Sequence, residues 1–226
     1  MAKCVVLLSG GLDSVTLLYH TIKDQDFDEV YALSFNYGQK HKRELEAAAW
    51  HCEQLSEVKE HRVLDISFME DYLKGASSLV GDQIDVPALD DIKDDDLDQP
   101  VTYVPNRNML LLSLAASYAE ARSCQELFYG AQSQDEYGYW DCTTEFLDNM
   151  NNVLSLNRRD AVRIQAPFVS LRKADEIKLG LTYGVDYSKT WTCYRGDLEP
   201  CKVCPSCVER AIAFEDCGIE DPLLSK

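Results

Sequence analysis

Cys4-Val5-Val6-Leu7-Leu8-Ser9-Gly10-Gly11-Leu12-Asp13-Ser14-Val15-Thr16-Leu17-Leu18 joins a short apolar run to a glycine turn and then to apolar spacing of helical period. A continuous apolar run that stops at Ser-Gly-Gly reads as a buried parallel strand meeting a tight turn. Downstream, Val30 to Phe35 reads as a second strand, Arg43 to Leu55 as an amphipathic helix and His61 to Ile66 as a third strand. Further on, Arg107 to Ala121 reads as a helix, Leu127 to Gly130 as a strand, Thr144 to Leu154 as a helix, and Lys173 to Tyr183 as a helix stopped by Gly184. Alternating strands and helices imply right-handed crossovers and an α/β, doubly wound parallel sheet, which binds ligands beyond the carboxyl ends of its strands.

The 226 residues fit one α/β domain with a small appendage: residues 1–190, then a C-terminal segment 191–226 packed on the same domain. Within the first of these, residues 74–105 break the rhythm with Gly75, Gly81, the acids Asp90, Asp91, Asp94, Asp95, Asp96 and Asp98, and then Pro100 and Pro105. A loop this long is either a lid or a disordered insertion, and disorder is the favoured reading for residues 88–98. The longest apolar stretch, Met109 to Ala119, is short of the about 20 residues of a membrane span, so no membrane partner is expected. No signal-peptide pattern is visible, and a cytoplasmic protein is the expectation.

Twenty-two basic against 39 acidic side chains give a formal net charge of −17. Nucleic-acid binding is driven largely by cations that neutralise phosphate, so a large RNA or DNA substrate is disfavoured. Of nine cysteines, four crowd into Cys193, Cys201, Cys204 and Cys207. The spacing C-x7-C-x2-C-x2-C suits a tetrahedral thiolate site of structural type, a zinc knuckle, with an iron–sulfur cluster as the competitor. Cys4, Cys52, Cys124 and Cys217 sit in apolar periodic segments and read as core, whereas Cys142 stands in a polar, aromatic stretch.

Ser9 to Ser14 has the composition of an anion-binding turn. Gly10 and Gly11 let backbone N–H groups approach an anion, the helix behind adds partial positive charge, and Ser9 and Ser14 can donate hydroxyls. Asp13 can cap the helix or help hold a magnesium ion. No lysine follows the glycines, so this is not a Walker loop. A bare Gly-Gly turn is equally common as structural punctuation; the string Ser9-Gly10-Gly11-Leu12-Asp13-Ser14 is more specific.

That string resembles the loop of the ATP-pyrophosphatase group. Leu33 to His41 (LSFNYGQKH), Thr102 to Asn108 (TYVPNRN), Gly138 to Cys142 (GYWDC) and Thr190 to Tyr194 (TWTCY) further resemble the 7-cyano-7-deazaguanine synthase family, in order, from Lys3 to about Pro222. The resemblance implies an adenine nucleotide hydrolase-like, Rossmann-like fold, ATP, Mg2+ and Zn2+ as cofactors, and a homodimer. It implies adenylation of 7-carboxy-7-deazaguanine, with ammonia as acceptor, ending in the nitrile or stopping at the amide. Asp13, Ser14, Lys40 and Arg107 are then the catalytic candidates; Ser9, Gly10, Gly11, Leu12, His41, Arg107 and Lys173 join them in ATP binding. Phe35, Asp135, Tyr139, Trp140 and Asp141 are the substrate candidates, and the four clustered cysteines tip to zinc. His41 can alternatively be structural, as His61 is expected to be.

Trp140 and Thr143 depart from the Tyr-Pro-Asp-Cys-Arg usual in the family, and Asn106 replaces a small residue. They leave open a relative, of the kind found in anti-phage cassettes, that attaches the deazaguanine to a macromolecular amine such as a partner protein. A tRNA thiolation enzyme is a third reading, opposed by the acidic charge.

Overall fold

The computed structural model describes residues 2–92, 99–132 and 139–225. Five strands form one sheet: β1 (Lys3–Leu7), β2 (Glu29–Asn36), β3 (Val58–Asp65), β4 (Glu126–Phe128) and β5 (Arg163–Gln165). All neighbours run parallel, in the order β3-β2-β1-β4-β5. The order reverses between β1 and β4, so the crevice at the carboxyl end of β1 is the topological switch point.

Among the described residues seven α-helices accompany them: α1 (Leu12–Lys23), α2 (Arg43–Gln54), α3 (Glu70–Leu73), α4 (Arg107–Ala121), α5 (Thr144–Leu154), α6 (Lys173–Tyr183) and α7 (Pro205–Asp216). Because strand side chains alternate between faces, β1 splits its residues between two cores. Val5 and Leu7 pack with Leu112, Ala115 and Ala116 of α4 and Phe146 of α5. Cys4, Val6 and Leu8 pack with α1, Ala48 and Cys52 of α2, Ile177 of α6 and Phe214 of α7. The sheet is therefore doubly wound, as expected, and among the described residues no helix is long and apolar enough to cross a membrane.

Several boundaries differ from the sequence reading, for physical reasons. β3 begins at Val58 rather than His61 and is an edge strand whose residues are mostly half-buried or exposed, so it lacks clean alternation. β5 has only three residues, too few for any period. The stretch from residue 74 is no free loop at its start: Leu79, Val80 and Val86 are buried. The Lys40 amide donates to the Leu79 carbonyl at 3.0 Å, and the Leu89 amide to the Val203 carbonyl at 2.8 Å. Leu89–Asp91 forms one 3-10 turn, against the disorder expected for residues 88–98; residues 93–98 of that acidic run lie outside the described residues.

Candidate active site

A cavity of about 260 Å³ opens at the switch point, floored by Leu7, Leu8 and Ser9 at the end of β1 and by Leu33 and Phe35 of β2. Over this floor the chain turns through Gly10, with φ of +92°, a conformation L side chains rarely adopt. Its glycine identity has a second cause. A Cβ there would stand 1.8 Å from the Glu44 carbonyl oxygen of α2, so the loop lies directly on that helix. Gly10 is absent from the cavity wall, whereas Ser9, Gly11, Leu12, Asp13 and Ser14 line it. Gly10 thus seats the loop on α2.

Ser14 organises the turn. The amides of Ser9 and Gly10 each donate to its Oγ at 3.1 Å, the Ser9 hydroxyl lies 2.9 Å away, and Ser14 Oγ donates to the Gly11 carbonyl at 3.2 Å. Gly11 caps α1 without a side-chain acceptor. The first-turn amides, which have no intrahelical acceptors, thus adjoin the cavity beside Asp13. Oδ1 of Asp13 is buried without a hydrogen-bond partner. A buried carboxylate oxygen left unpaired is costly, and a cation supplied with the ligand would satisfy it.

Three cationic side chains share this cavity: Arg107, Lys173 and Arg210. Arg107 opens α4, where Asn106 takes a left-handed φ of +53° and its amide donates to the Tyr103 hydroxyl at 2.9 Å. Asparagine tolerates that conformation better than most side chains, which accounts for the departure at this position. The Arg107 guanidinium donates to the Tyr37 hydroxyl at 3.1 Å. Burial alone would favour its neutral form, yet Tyr37, Asp141 and Tyr194 hold its pKa above the ordinary arginine value. Lys173, at the start of α6, pairs with Glu209 of α7 at 3.3 Å. Arg210 is fully buried; it makes a two-point ion pair with Asp221 (2.7 and 3.0 Å) and donates to Thr190, Thr192 and the Tyr187 carbonyl.

His41 and Glu44 occupy the wall between α2 and the turn after β2, with His41 Nε2 3.4 Å from Glu44 Oε2. Gln39 donates to Glu44 Oε1 at 3.1 Å and accepts from the Tyr37 amide at 2.8 Å, fixing the turn. Burial pushes Glu44 up to about 8, and burial together with Arg107 pushes His41 down to about 4.

Of the other expected site residues, Lys40 does not reach the cavity. Its ammonium donates to the Ile84 carbonyl at 2.6 Å, in a separate depression with Asp85, Arg195 and Asp197. The turn at Gly38 directs residue 40 outward while residue 41 points in. Phe35 lines the cavity, but Tyr139, Trp140 and Asp141 do not. Tyr139 and Trp140 form a lip: Tyr139 meets the Thr102 hydroxyl at 2.5 Å, and half-exposed Trp140 donates to the Tyr103 hydroxyl at 3.1 Å and stacks edge-on against Phe146, whereas Asp141 is buried and its carbonyl accepts from the Tyr129 hydroxyl at 3.2 Å. Only the next residue, Cys142, enters the wall, near Asn108 and the Tyr129 hydroxyl. Asp135 lies outside the described residues.

Glu44 and Arg210 escaped the sequence reading, although a signal existed. On α2 the buried positions are Glu44, Ala48, His51 and Cys52; on α7 they include Cys207, Arg210, Ala213 and Phe214. In each case a charged residue sits on the apolar stripe of an amphipathic helix, where charges are rare unless paired or functional.

The sulfur ligand atoms of Cys193, Cys201, Cys204 and Cys207 lie within 4.8 Å of one another. Cys204 caps α7, Pro205 starts it and Cys207 sits in its first turn. Backbone amides of Cys201 and Cys204 donate to the sulfurs of Cys193 and Cys201, both at 3.3 Å. Thiol donors from Cys204 and Cys207 hold Cys193 well below an ordinary thiol. Four converging soft ligands fit a tetrahedral metal ion.

The model of the queuosine biosynthesis protein QueC matches residues 3–218. The chain belongs to the QueC family. The 7-cyano-7-deazaguanine synthase of Caldicellulosiruptor saccharolyticus is 45% identical over 98% of this chain and 94% of its own length. The 7-cyano-7-deazaguanine synthase 1 of Colwellia psychrerythraea is 42% identical over 98% and 97%. Near full-length similarity at this level favours the family reading over tRNA thiolation or attachment to a protein. Among solved structures, a 4-thiouridine synthetase–RNA complex with bound ATP matches 81% of this chain and 41% of its own, with a TM-score of 0.50 and 13% identity. At that identity the likeness is one of fold.

Proposed function

We propose that this QueC-family chain is an ATP-dependent synthase that adenylates 7-carboxy-7-deazaguanine and passes its acyl group to ammonia, giving 7-cyano-7-deazaguanine. One observation carries the reading. A serine–glycine loop at a helix N-terminus, an unpartnered Asp13 oxygen and three cations converge on one cavity, in a chain whose net charge is −17. Three of the 22 basic side chains line this one crevice of an acidic protein, and their field there favours an anion.

The substrate carboxylate is a poor electrophile until its charge is removed. Its oxygen attacks the α-phosphorus of ATP and the bond to the pyrophosphate oxygen breaks. The loop and the first-turn amides of α1 hold phosphate oxygens, while Arg107 and Lys173 stabilise charge on the departing pyrophosphate; Arg210, whose N–H groups are all engaged within the protein, adds only its positive charge to the wall. Asp13 is the residue to hold Mg2+, which neutralises phosphate charge when bound. Ammonia then attacks the acyl carbon and AMP leaves, yielding the amide. A second ATP activates the amide oxygen, and loss of AMP with both amide protons leaves the nitrile. Phe35 offers an apolar surface to a planar ring, and Cys142, Asn108 and Tyr129 present polar groups to its edge.

For the cysteine cluster we assign Zn2+. All four donors are sulfur, three are buried, and no position faces the cavity, so the site is closed and structural. Incubating the protein with ATP, Mg2+ and 7-carboxy-7-deazaguanine, with and without ammonium, and identifying products by mass spectrometry tests the reading. Nitrile and AMP are expected, both absent when the carboxylate is omitted.

A further inference from the structure

Amide formation has an unmet chemical requirement. Ammonia is mostly ammonium at neutral pH, and attack of NH3 on an acyl carbon gives a tetrahedral species carrying an N–H proton that must be lost before AMP departs. Conversion of amide to nitrile sheds two further N–H protons. Each proton needs an acceptor inside the cavity. Arg107, Lys173 and Arg210 are cations, each already donating to a protein partner. Asp13 sits in the phosphate loop, and burial pushes the tyrosines Tyr37 and Tyr129 away from ionisation.

From the placement of α2 we infer that Glu44 is the proton acceptor of the ammonia-dependent steps. Glu44 lines the same cavity as the phosphate loop, and its carboxylate lies 3.4 Å from His41 Nε2 and is held by Gln39. It stands in the first turn of α2, where the helix N-terminus favours its anion. The groups facing it are His41 on its own turn, Tyr37 from the end of β2 and Arg107 from α4. A value near 8 gives the carboxylate far more basicity than an exposed glutamate, close to what efficient proton transfer at physiological pH requires. In the balanced step, the nitrogen forms its bond to the acyl carbon, one N–H bond breaks to protonate Glu44, and the carbon–oxygen bond to AMP breaks. His41 keeps its hydrogen-bonding place beside the carboxylate and positions it.

This inference rests on the proposed function, so the test separates the two half-reactions in the metal-loaded protein. Carboxylate-dependent exchange of pyrophosphate into ATP, without ammonia, reads adenylation alone; amide formation reads the second step. E44Q retains the amide acceptor for Gln39 but cannot take a proton. We expect its exchange to stay within about two-fold of the parent, while amide formation at pH 7 falls by about 100-fold, the low end for general-base catalysis. Hydroxylamine, neutral at that pH, should rescue part of the loss. Equal losses in both half-reactions would assign Glu44 a structural role, and no loss in either would also overturn the inference. Should E44Q fail to fold, the parent decides. At fixed free ammonia, its amide-forming rate must rise through an ionisation near 8, and a flat profile refutes the idea. A parent showing no carboxylate-dependent exchange would instead defeat the underlying functional reading.

Discussion

The backbone amide of Trp191 donates to the Gly10 carbonyl at 3.0 Å. Its indole Nε1 donates to the Cys193 carbonyl at 3.0 Å, so the four-cysteine cluster and the Ser9–Ser14 loop are one hydrogen-bonded unit. The cluster holds the strip Thr190–Tyr194 in place, and that strip closes one side of the cavity with Trp191, Thr192 and Tyr194. A closed metal site contributes its binding energy to the native state, and a metal on these four cysteines would extend that energy to the Ser9–Ser14 loop.

Metal removal should therefore cost ATP turnover as well as stability. Treating the zinc-loaded protein with a strong chelator, or making Cys204→Ser, should lower the melting temperature by about 10 °C or more and abolish carboxylate-dependent pyrophosphate release. Elemental analysis of the purified protein should find zinc without iron and sulfide.

Gly10→Ala and Gly184→Ala separate steric crowding from backbone strain. Both glycines have φ above +80°, but a Cβ at Gly10 meets the Glu44 carbonyl at 1.8 Å and one at Gly184 meets nothing within 4 Å. Urea denaturation should show a loss of about 1–2 kcal/mol for Gly184→Ala, the left-handed backbone cost. For Gly10→Ala we expect about 4 kcal/mol or more.

Asp221→Ala leaves the Arg210 guanidinium charged and fully buried with its ion-pair partner removed. The expected loss is about 3–5 kcal/mol, measurable by denaturant titration. Asp221 does not line the cavity, so the variant's residual activity at low temperature reports how far Arg210 depends on it for position.

Stability against pH offers an independent check on Glu44. Its folded value of about 8 exceeds the ordinary value of 4.5, so between those values the native state binds a proton the unfolded chain lacks, and stability falls as pH rises. His41 and His51, both lowered to about 4 from 6.5, act oppositely, but only below about 6.5. From pH 6.5 to 8 the Glu44 contribution therefore stands apart from theirs. The melting-temperature difference of E44Q minus parent should grow over that window; a constant difference would show that Glu44 ionises normally.

Much of the architecture was legible because period and punctuation agreed. Arg107–Ala121 and Lys173–Tyr183 were readable to the residue, the second because Gly184 supplies a left-handed stop. β5, with three residues, carries no period, and α7 begins inside the cysteine run, where spacing reads as metal ligation before it reads as helix. Within the site, Ser9 and Gly11 to Ser14 were readable because chemistry and backbone geometry coincide in one contiguous loop. Lys40 and His41 show the converse. Adjacent residues on a turn point to opposite sides, and only the fold decides which one faces the cavity. Likewise Trp140 and Cys142 share a motif, yet one 3-10 turn places the tryptophan on the lip and the cysteine in the wall.

Asp13 sits where the account is most exposed to test. The decisive measurement is exchange of labelled pyrophosphate into ATP by the parent protein and by Asp13→Asn, with and without 7-carboxy-7-deazaguanine and in the absence of ammonia. Exchange should occur only when the carboxylate is present, and it should fall by at least about 100-fold in the variant with the melting temperature little changed. Exchange that ignores the carboxylate but responds to tRNA, or that survives intact in Asp13→Asn, would contradict it.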